Sequence, residues 1–312
     1  MFAYYLHDLS PHVIRLGERF AIHWYGLAYV MGFYCAYLLL KRFAARGYGE
    51  LKESEVADFI TYCALFGVVL GGRVGYMLLY NWDGLMADPL SLFKIWDGGM
   101  ASHGGIAGLA LFTLYYARSR KRSWTGIGDN LVVVAPLGIF FGRMANFING
   151  ELYGRITDVQ WAVKFPTEIH DPTFTPAAES SLAWQNLPQH SHEIITAVSQ
   201  QPGGLNELEM ILHPRHPSQL YEGALEGLFL FLVLYAIRIK WKNLAHGVLT
   251  GLFFILYALV RIFGEHFREP DAGLIMGITR GQFYSLFMIV IGLAFLVFGI
   301  ITRKGRSPTL AS

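Results

Sequence analysis

Long apolar runs alternate with shorter polar stretches along most of the chain. A helix needs about 20 mostly apolar residues to cross a bilayer, and seven runs approach that length. The predicted spans are roughly Ile22–Leu40, Phe59–Tyr80, Met100–Ala117, Gly126–Phe147, Ser218–Ile239, Gly247–Phe267 and Phe283–Thr302. The pattern therefore predicts an all-α polytopic membrane protein with about seven transmembrane helices.

Two segments outside the spans have their own character. Arg155–His216 is polar and proline-bearing, and WAVKF is its one strand-like run. Its length of about sixty residues is long for a structureless loop. We therefore expect a small head, residues 155–216, inserted between spans four and five of a single membrane domain comprising residues 1–312. The shorter segment Asn81–Asp97 carries three large aromatics and could lie along the membrane interface.

Composition and charge add an orientation to these spans. The chain is 54% hydrophobic and 15% charged, against about 25% charged in soluble domains, and its net charge of +2 does not suggest a nucleic-acid partner. The positive-inside rule places basic loops in the cytoplasm. The basic residues after spans one, three, five and seven are 14 of 25, namely Lys41, Arg42, Arg46, Lys52, Arg118, Arg120, Lys121, Arg122, Arg238, Lys240, Lys242, Arg303, Lys304 and Arg306. We expect a periplasmic N-terminus and head and a cytoplasmic C-terminus.

Polar and charged side chains inside the predicted spans are the most informative feature. A charge in hydrocarbon costs at least about 2.5–3.5 kcal/mol, so it persists only in a protected cavity or beside a partner. The positions are Arg73, His103, Arg143, Asn146, Glu222, Glu226, Arg261 and Glu265. Almost all lie in the outer half of the predicted membrane, and this shared depth predicts one cavity that opens toward the outer leaflet.

These positions also have purely structural interpretations. Tyr257, Arg261 and Glu265 recur on one helix face, and an Arg–Glu pair there could simply lock two helices together. Arg143 could be a snorkelling side chain at a helix end. His103, which precedes two glycines that allow another backbone or a lipid chain to come close, could be a hydrogen-bonded interfacial residue.

Several kinds of site are not indicated by the sequence. Cys35 and Cys63 fall inside apolar runs and fit packing roles rather than a disulfide or a CxxC metal site. No HExxH, GxSxG or P-loop motif occurs. His213 and His216 form an HxxH that no carboxylate or cysteine cluster completes. We expect no metal, no cofactor and no removable signal peptide.

Thirteen consecutive residues resemble a family signature. The run GRMANFINGELYG is similar to that of the phosphatidylglycerol–prolipoprotein diacylglyceryl transferases, with Gly, Arg, Asn, Asn, Glu and Gly at fixed positions. HWYG, SHGG, RHPSQLYEG and a YxxxRxxxE run followed by REPD also resemble that family, in its order. The resemblance extends from His23 to the end of span seven.

The resemblance implies an activity and its partners. The family transfers the sn-1,2-diacylglyceryl group of phosphatidylglycerol to the thiol of a lipobox cysteine in a prolipoprotein, which releases glycerol phosphate and needs no metal or nucleotide. It implies an enzyme of the bacterial inner membrane that acts on membrane lipid and on prolipoprotein signal peptides.

The intramembrane residues fit that chemistry. Fixed guanidinium groups stabilise the negative charge that grows on a leaving phosphate, and Arg143 and Arg261 are the matching candidates. His103 is the candidate base for the substrate thiol. The implied substrate-binding residues are Tyr25, Asn146, Asn149, Glu151, Gly154, Tyr257 and Glu265.

Two other classes of function remain open at this point. Intramembrane arginines would equally suit a transporter or flippase for an anionic lipid, although the odd span count and the lack of paired inverted halves argue against it. A membrane scaffold is the other alternative, in which the polar residues only hold helices together.

Overall fold

The computed structural model describes residues 4–16, 20–94, 96, 98–182, 186–270 and 273–304. Each of the seven predicted spans coincides with a helix. The helices are α1 (Trp24–Ala45), α2 (Glu53–Tyr80), α3 (Trp82–Ala87), α4 (Ser102–Ser119), α5 (Trp124–Asn149), α6 (Ser191–Ser199), α7 (Gly204–Ile211), α8 (Ser218–Lys240), α9 (Val248–Gly264) and α10 (Arg280–Lys304). The predicted mostly helical fold is confirmed, while Asp97 and Arg306 of the predicted segments lie outside the described residues.

Five helices, α1, α2, α5, α8 and α10, are long and apolar enough to cross a membrane. Helix α9 is apolar but has 17 residues, a length of about 25 Å at the usual helical rise. Helix α4 has 18 residues and a polar start at Ser102 and His103. The chain is therefore a multi-pass membrane protein, and the count of seven crossings stays a prediction.

Five short strands depart from the all-α expectation. They are β1 (Tyr5–Leu6), β2 (His12–Leu16), β3 (Phe20–His23), β4 (Val163–Lys164) and β5 (Pro214–Arg215). Strand β4 lies between β1 and β5, and β2 pairs with β3 in a hairpin. Ile22 and His23 belong to this hairpin, so the predicted start of span one at Ile22 is wrong by two residues. Apolarity alone does not separate a strand from a helix over so short a run.

The chain forms two compact units, the first of which contains the two sheets. It comprises Met1–Gly32, Pro136–Leu234 and Phe253–Leu293. Within it, the segment 155–216 builds an apolar core of its own from α6, α7 and the residues before them. The core residues are Ile169, Leu182, Ile194, Val198, Leu208, Ile211 and Leu212. A segment with buried apolar side chains of this number has a folding driving force of its own.

The second unit comprises Phe33–Ala135, Tyr235–Leu252 and Ala294–Ser312. In it α2 and α4 pack through facing glycines. A Cβ added to Gly75 would lie 2.5 Å from the Cα of Gly104, and one added to Gly108 would lie 2.4 Å from the carbonyl oxygen of Gly67. Glycines spaced four residues apart share a helix face, so this contact is a small-residue interface of the kind that joins membrane helices.

Candidate active site

Two glutamates of α8 face an arginine of α5. Glu222 and Glu226 are one helical turn apart and are 1% and 0% exposed. The Nε of Arg143 lies 3.0 Å from Glu222 Oε2, and its Nη2 lies 3.2 Å from Glu226 Oε2. The carboxylates therefore hold the guanidinium from two directions.

Glycines on α8 allow the two helices to approach closely enough for these contacts. A Cβ added to Gly227 would lie 2.6 Å from the Cβ and 2.9 Å from the Cα of Phe140, and one added to Gly223 would lie 3.4 Å from the Cβ of Arg143. The backbone of α8 also makes a π-helical turn over Gly223–Phe229, a feature that often occurs at functional sites.

Arg261 of α9 binds the same two carboxylates. Its Nη1 donates to Glu222 Oε1 at 2.9 Å and to Glu226 Oε1 at 3.0 Å. Its Nη2 pairs with Glu265, so the Arg–Glu pair expected from the sequence is present. Through Glu222 and Glu226, the Arg261 guanidinium also links α9 to α8. A lock between two helices is therefore part of the role of Arg261.

Arg268 and Tyr257 complete this cluster. Arg268 Nη1 lies 3.3 Å from both oxygens of Glu222, and the Tyr257 hydroxyl donates to Glu226 Oε2 at 3.4 Å. Three arginines face three glutamates, so the formal charges cancel. The cluster as a whole therefore avoids the large cost of an unpaired charge in a membrane. We call it the ion cluster, made of Arg143, Arg261, Arg268, Glu222, Glu226 and Glu265.

A second polar group lies one turn along α5. Asn146 follows Arg143 by three residues and shares its helix face. Its Nδ2 donates to Glu151 Oε1 at 2.9 Å and contacts the Tyr25 hydroxyl, which in turn donates to Glu151. Gln219 of α8 fixes this turn through a 2.7 Å bond to the carbonyl of Glu151. The structure thus brings together three further residues that the sequence predicted.

A family model described as prolipoprotein diacylglyceryl transferase matches residues 11–298. The chain belongs to this family. It is 40% identical over 305 residues to the phosphatidylglycerol–prolipoprotein diacylglyceryl transferase of Proteus mirabilis, and the aligned region covers 97% of this chain and 96% of the relative. The protein of that name from Stenotrophomonas maltophilia is 39% identical over 310 residues (98% and 95%), and that from Bdellovibrio bacteriovorus is 38% identical over 331 residues (94% and 93%). The resemblance that the motifs indicate is confirmed.

In this member of the prolipoprotein diacylglyceryl transferases, two further predicted residues, Asn149 and Gly154, lie at the end of α5 and in the loop that follows it. A Cβ added to Gly154 would lie 2.4 Å from the carbonyl oxygen of Phe267 and 2.6 Å from that of His216. Gly154 therefore permits three backbone segments to meet, which is a packing requirement. The Oδ1 of Asn149 is buried and has no hydrogen-bond partner among the residues that the structure describes.

His103 and Arg73 belong to the second unit. His103 is the second residue of α4, and the glycine after it contacts the backbone of α2 rather than a lipid chain. Arg73 is buried and donates to the carbonyl oxygens of a segment that follows α3. These acceptors are Ser91 at 2.6 Å, Lys94 at 2.9 Å, Leu92 and Gly99 at 3.2 Å, and Gly98. Arg73 thus fastens this loop to α2, which is a structural role.

Glu222 and Glu226 lie inside predicted span five but were not among the predicted site residues. Their spacing of four residues and their depth, shared with Arg143 and Arg261, were the available signal. Arg268 is the arginine of the REPD run just beyond α9, and it was not among the predicted site residues. The two glutamates supply the charges that hold the two predicted arginines, and Arg268 pairs with Glu222 as well.

Proposed function

We propose that the protein transfers the sn-1,2-diacylglyceryl group of phosphatidylglycerol to the lipobox cysteine thiol of a prolipoprotein. The family membership and the activity for which the relatives are named support this transferase activity. The observation that carries the proposal is the pair of partly buried arginines, Arg143 and Arg261, held in place by two buried glutamates inside an apolar chain. No observation favours the transporter alternative.

At the glyceryl carbon, the reaction makes one bond and breaks one. The substrate sulfur attacks the glyceryl carbon that bears the phosphate, and a thioether forms as the carbon–oxygen bond breaks. The bonding electron pair leaves with glycerol phosphate, and the thiol proton passes to a base. Because the nucleophile belongs to the substrate, the enzyme needs no cysteine of its own, and Cys63 is 3% exposed.

Arg143 and Arg261 would stabilise the leaving phosphate. Arg143 donates no hydrogen bond from Nη1 to any described residue, and Arg261 donates none from Nε, so both retain donors for lipid oxygens. The phosphate gains negative charge as the bond breaks, and its attraction to the guanidinium groups therefore grows in the transition state. The glutamates fix both groups beforehand, so little reorganisation is needed during the reaction.

The remaining predicted residues would position the substrates. Tyr25, Asn146 and Glu151 form one hydrogen-bonded group, which can hold lipid oxygens beside Arg143. The unpaired Oδ1 of Asn149 can accept a hydrogen bond from a lipid hydroxyl. His103 would take the thiol proton as general base.

The proposal includes a topology in the bacterial inner membrane. Seven spans would place the N-terminus and the head of residues 155–216 in the periplasm and the C-terminus in the cytoplasm. Reporter fusions after Arg122 and Lys242 should then report a cytoplasmic location, and a fusion near Gln200 a periplasmic one. A cytoplasmic signal at Gln200 would contradict this orientation.

Mass spectrometry of a lipobox peptide tests the activity directly. Purified protein in detergent, with phosphatidylglycerol as the lipid, should add one diacylglyceryl group to the peptide and release glycerol phosphate. A peptide with serine in place of the lipobox cysteine is the matched control and should stay unmodified. An unmodified cysteine peptide with folded enzyme would reject the proposed function.

A further inference from the structure

Arg238 differs from the arginines of the ion cluster. It lies near the end of α8 and is 4% exposed. Among the residues that the structure describes it forms no hydrogen bond and no ion pair, and its buried Nε has no partner. Arg143 and Arg261, in contrast, are each held by two or more carboxylates.

An aromatic ring and a second cation lie beside this guanidinium. The Arg238 Cζ lies 5.2 Å from the centroid of the Tyr48 ring, and the Lys242 Nζ lies 5.7 Å from the same centroid. Asn130 donates to the carbonyl oxygen of Tyr48 at 2.8 Å, while its own Oδ1 is buried without a partner in the described chain. Two cations thus lie over the Tyr48 ring. The Asn130 Oδ1, like the Arg238 Nε, is a buried polar atom without a hydrogen-bond partner in the described chain.

The acidic residues nearby are committed elsewhere. Asp129 accepts from the backbone N–H of Gly247 at 2.8 Å and from both the backbone and the hydroxyl of Thr250 at 2.8 Å, and so caps the start of α9. Glu50 lies 3.6 Å from His246. Asp129 attracts the Arg238 guanidinium electrostatically, but neither carboxylate lies within ion-pair distance of it among the described residues.

We propose that Arg238 and Lys242 bind the phosphate group of an anionic phospholipid in the leaflet at this end of α8. A buried guanidinium without hydrogen-bond partners is costly, and buried polar groups in native proteins usually have a hydrogen-bond partner in the protein, a water or an ion. The planar guanidinium fork matches two phosphate oxygens, and the ammonium supplies a second charge. Basic residues at the end of a membrane helix are a recognised form of anionic-lipid site.

A lipid is the source that the surroundings favour over free phosphate. Arg238 is carried by a helix long and apolar enough to cross a membrane, and Trp241, directly after α8, is 48% exposed. Exposed Trp at a helix end is typical of the headgroup level of a bilayer. The site is separate from the proposed transfer reaction, since none of the ion-cluster residues contributes to it.

Native mass spectrometry of the full-length protein in a neutral detergent tests the site. The probe is phosphatidic acid, which has the phosphate but lacks the glycerol headgroup of phosphatidylglycerol. Arg238→Gln should bind it at least about tenfold more weakly than the wild type, because charge-assisted hydrogen bonds are lost. Lys242→Gln should weaken binding by about threefold. Lys240→Gln is the matched control, since that ammonium lies over the Trp241 ring instead, and it should bind as the wild type does.

Three results would overturn the proposal. They are unchanged affinity for phosphatidic acid in Arg238→Gln, equal binding of phosphatidylcholine by the wild type, and displacement of the lipid by inorganic phosphate at equal concentration. If Arg238→Gln does not stay monodisperse, the affinity for phosphatidic acid is measured in Lys242→Gln and Tyr48→Leu instead, and both variants should bind it more weakly than the wild type. Unchanged affinity in both of these variants would also reject the site.

Discussion

The glycine contact between α2 and α4 and the ion cluster of α5, α8 and α9 hold membrane helices together by opposite means. Lipid provides no hydrophobic drive for helix association, so close packing and polar contacts must supply it. At the glycine contact, the Cβ positions of Gly75 and Gly104 are filled by the facing backbone. In the ion cluster, Glu222 joins Arg143 to Arg261 through charge.

The difference lies in what each contact can do beyond holding helices. The glycine contact has no donor, acceptor or charge to offer a substrate, so only its shape matters. The ion cluster has donors on Arg143 and Arg261 that no described residue accepts, and in the proposed reaction these donors would bind the phosphate while the ion pairs remain. Changes in the first region should therefore alter stability, while conservative changes in the second should alter activity.

The largest effect is expected for Arg261→Gln. This change removes the cation shared by three carboxylates, and breaking buried ion pairs costs about 3–5 kcal/mol. Thermal unfolding in detergent should show a large fall in melting temperature, together with loss of lipid transfer. Arg118→Gln, at an exposed position, is the control. Equal melting temperatures in the two variants would show that the cluster does not stabilise the fold.

His103→Gln asks whether the glycine-packed helix α4 also carries chemistry. A lost general base should reduce the rate by about 10²–10⁴ at neutral pH, and raising the pH should restore part of it. A structural histidine would give a constant fractional loss, because glutamine can still donate a hydrogen bond. The measurement is the pH–rate profile of both proteins, and parallel profiles would contradict the general-base role.

Gly104→Ala should destabilise the protein without changing its chemistry. The added Cβ would lie 2.5 Å from the carbonyl oxygen of Gly71 and 2.7 Å from the Cα of Gly75, and overpacking of this kind costs about 1–3 kcal/mol. Gly138→Ala is the matched control, because no heavy atom lies within 4 Å of that Cβ. Equal stability of both variants would disprove the steric interpretation.

Acid should affect the first unit through His7, whereas the glycine contact of the second unit should not respond to pH. His7 in the first unit is fully buried against Phe147 and Phe165, and burial lowers the pKa of its imidazole. Below the unfolded pKa of about 6.5, the His7 imidazole takes up a proton in the unfolded chain but resists it in the folded state. The free energy of unfolding therefore decreases as the pH decreases, by at most about 1.4 kcal/mol per pH unit.

Thermal melts across this pH range check the effect. His7→Phe should flatten the dependence, while exposed His192→Gln should keep it. Gly104→Ala should shift the whole curve without changing its slope, since the glycine contact has no titratable group. A His7→Phe curve as steep as that of the wild type would assign the dependence to other groups.

The sequence predicted the helices well because apolar runs of membrane length leave few other structures possible. It predicted Arg143, Asn146 and Arg261 because charged and polar side chains inside such runs are energetically costly and therefore indicate a functional site. The strand-like run WAVKF contains β4, so that expectation is confirmed. The strand at Tyr5 was not predicted, since a two-residue strand depends on pairing between distant segments. The roles of Glu222 and Glu226 could be read only from the structure. Their spacing in the sequence indicates that they share a helix face, but not that this face contacts Arg143 and Arg261.

Arg143→Lys tests the central claim most directly, because it keeps the charge and removes the planar fork. The ammonium can still pair with Glu222 or Glu226, so the protein should insert and melt close to the wild type. Lipidation of the lipobox peptide, measured by mass spectrometry, should slow by about 10²-fold or more, as for loss of a preorganised donor. A wild-type rate in this variant would contradict the account, since Arg143 would then serve the fold alone.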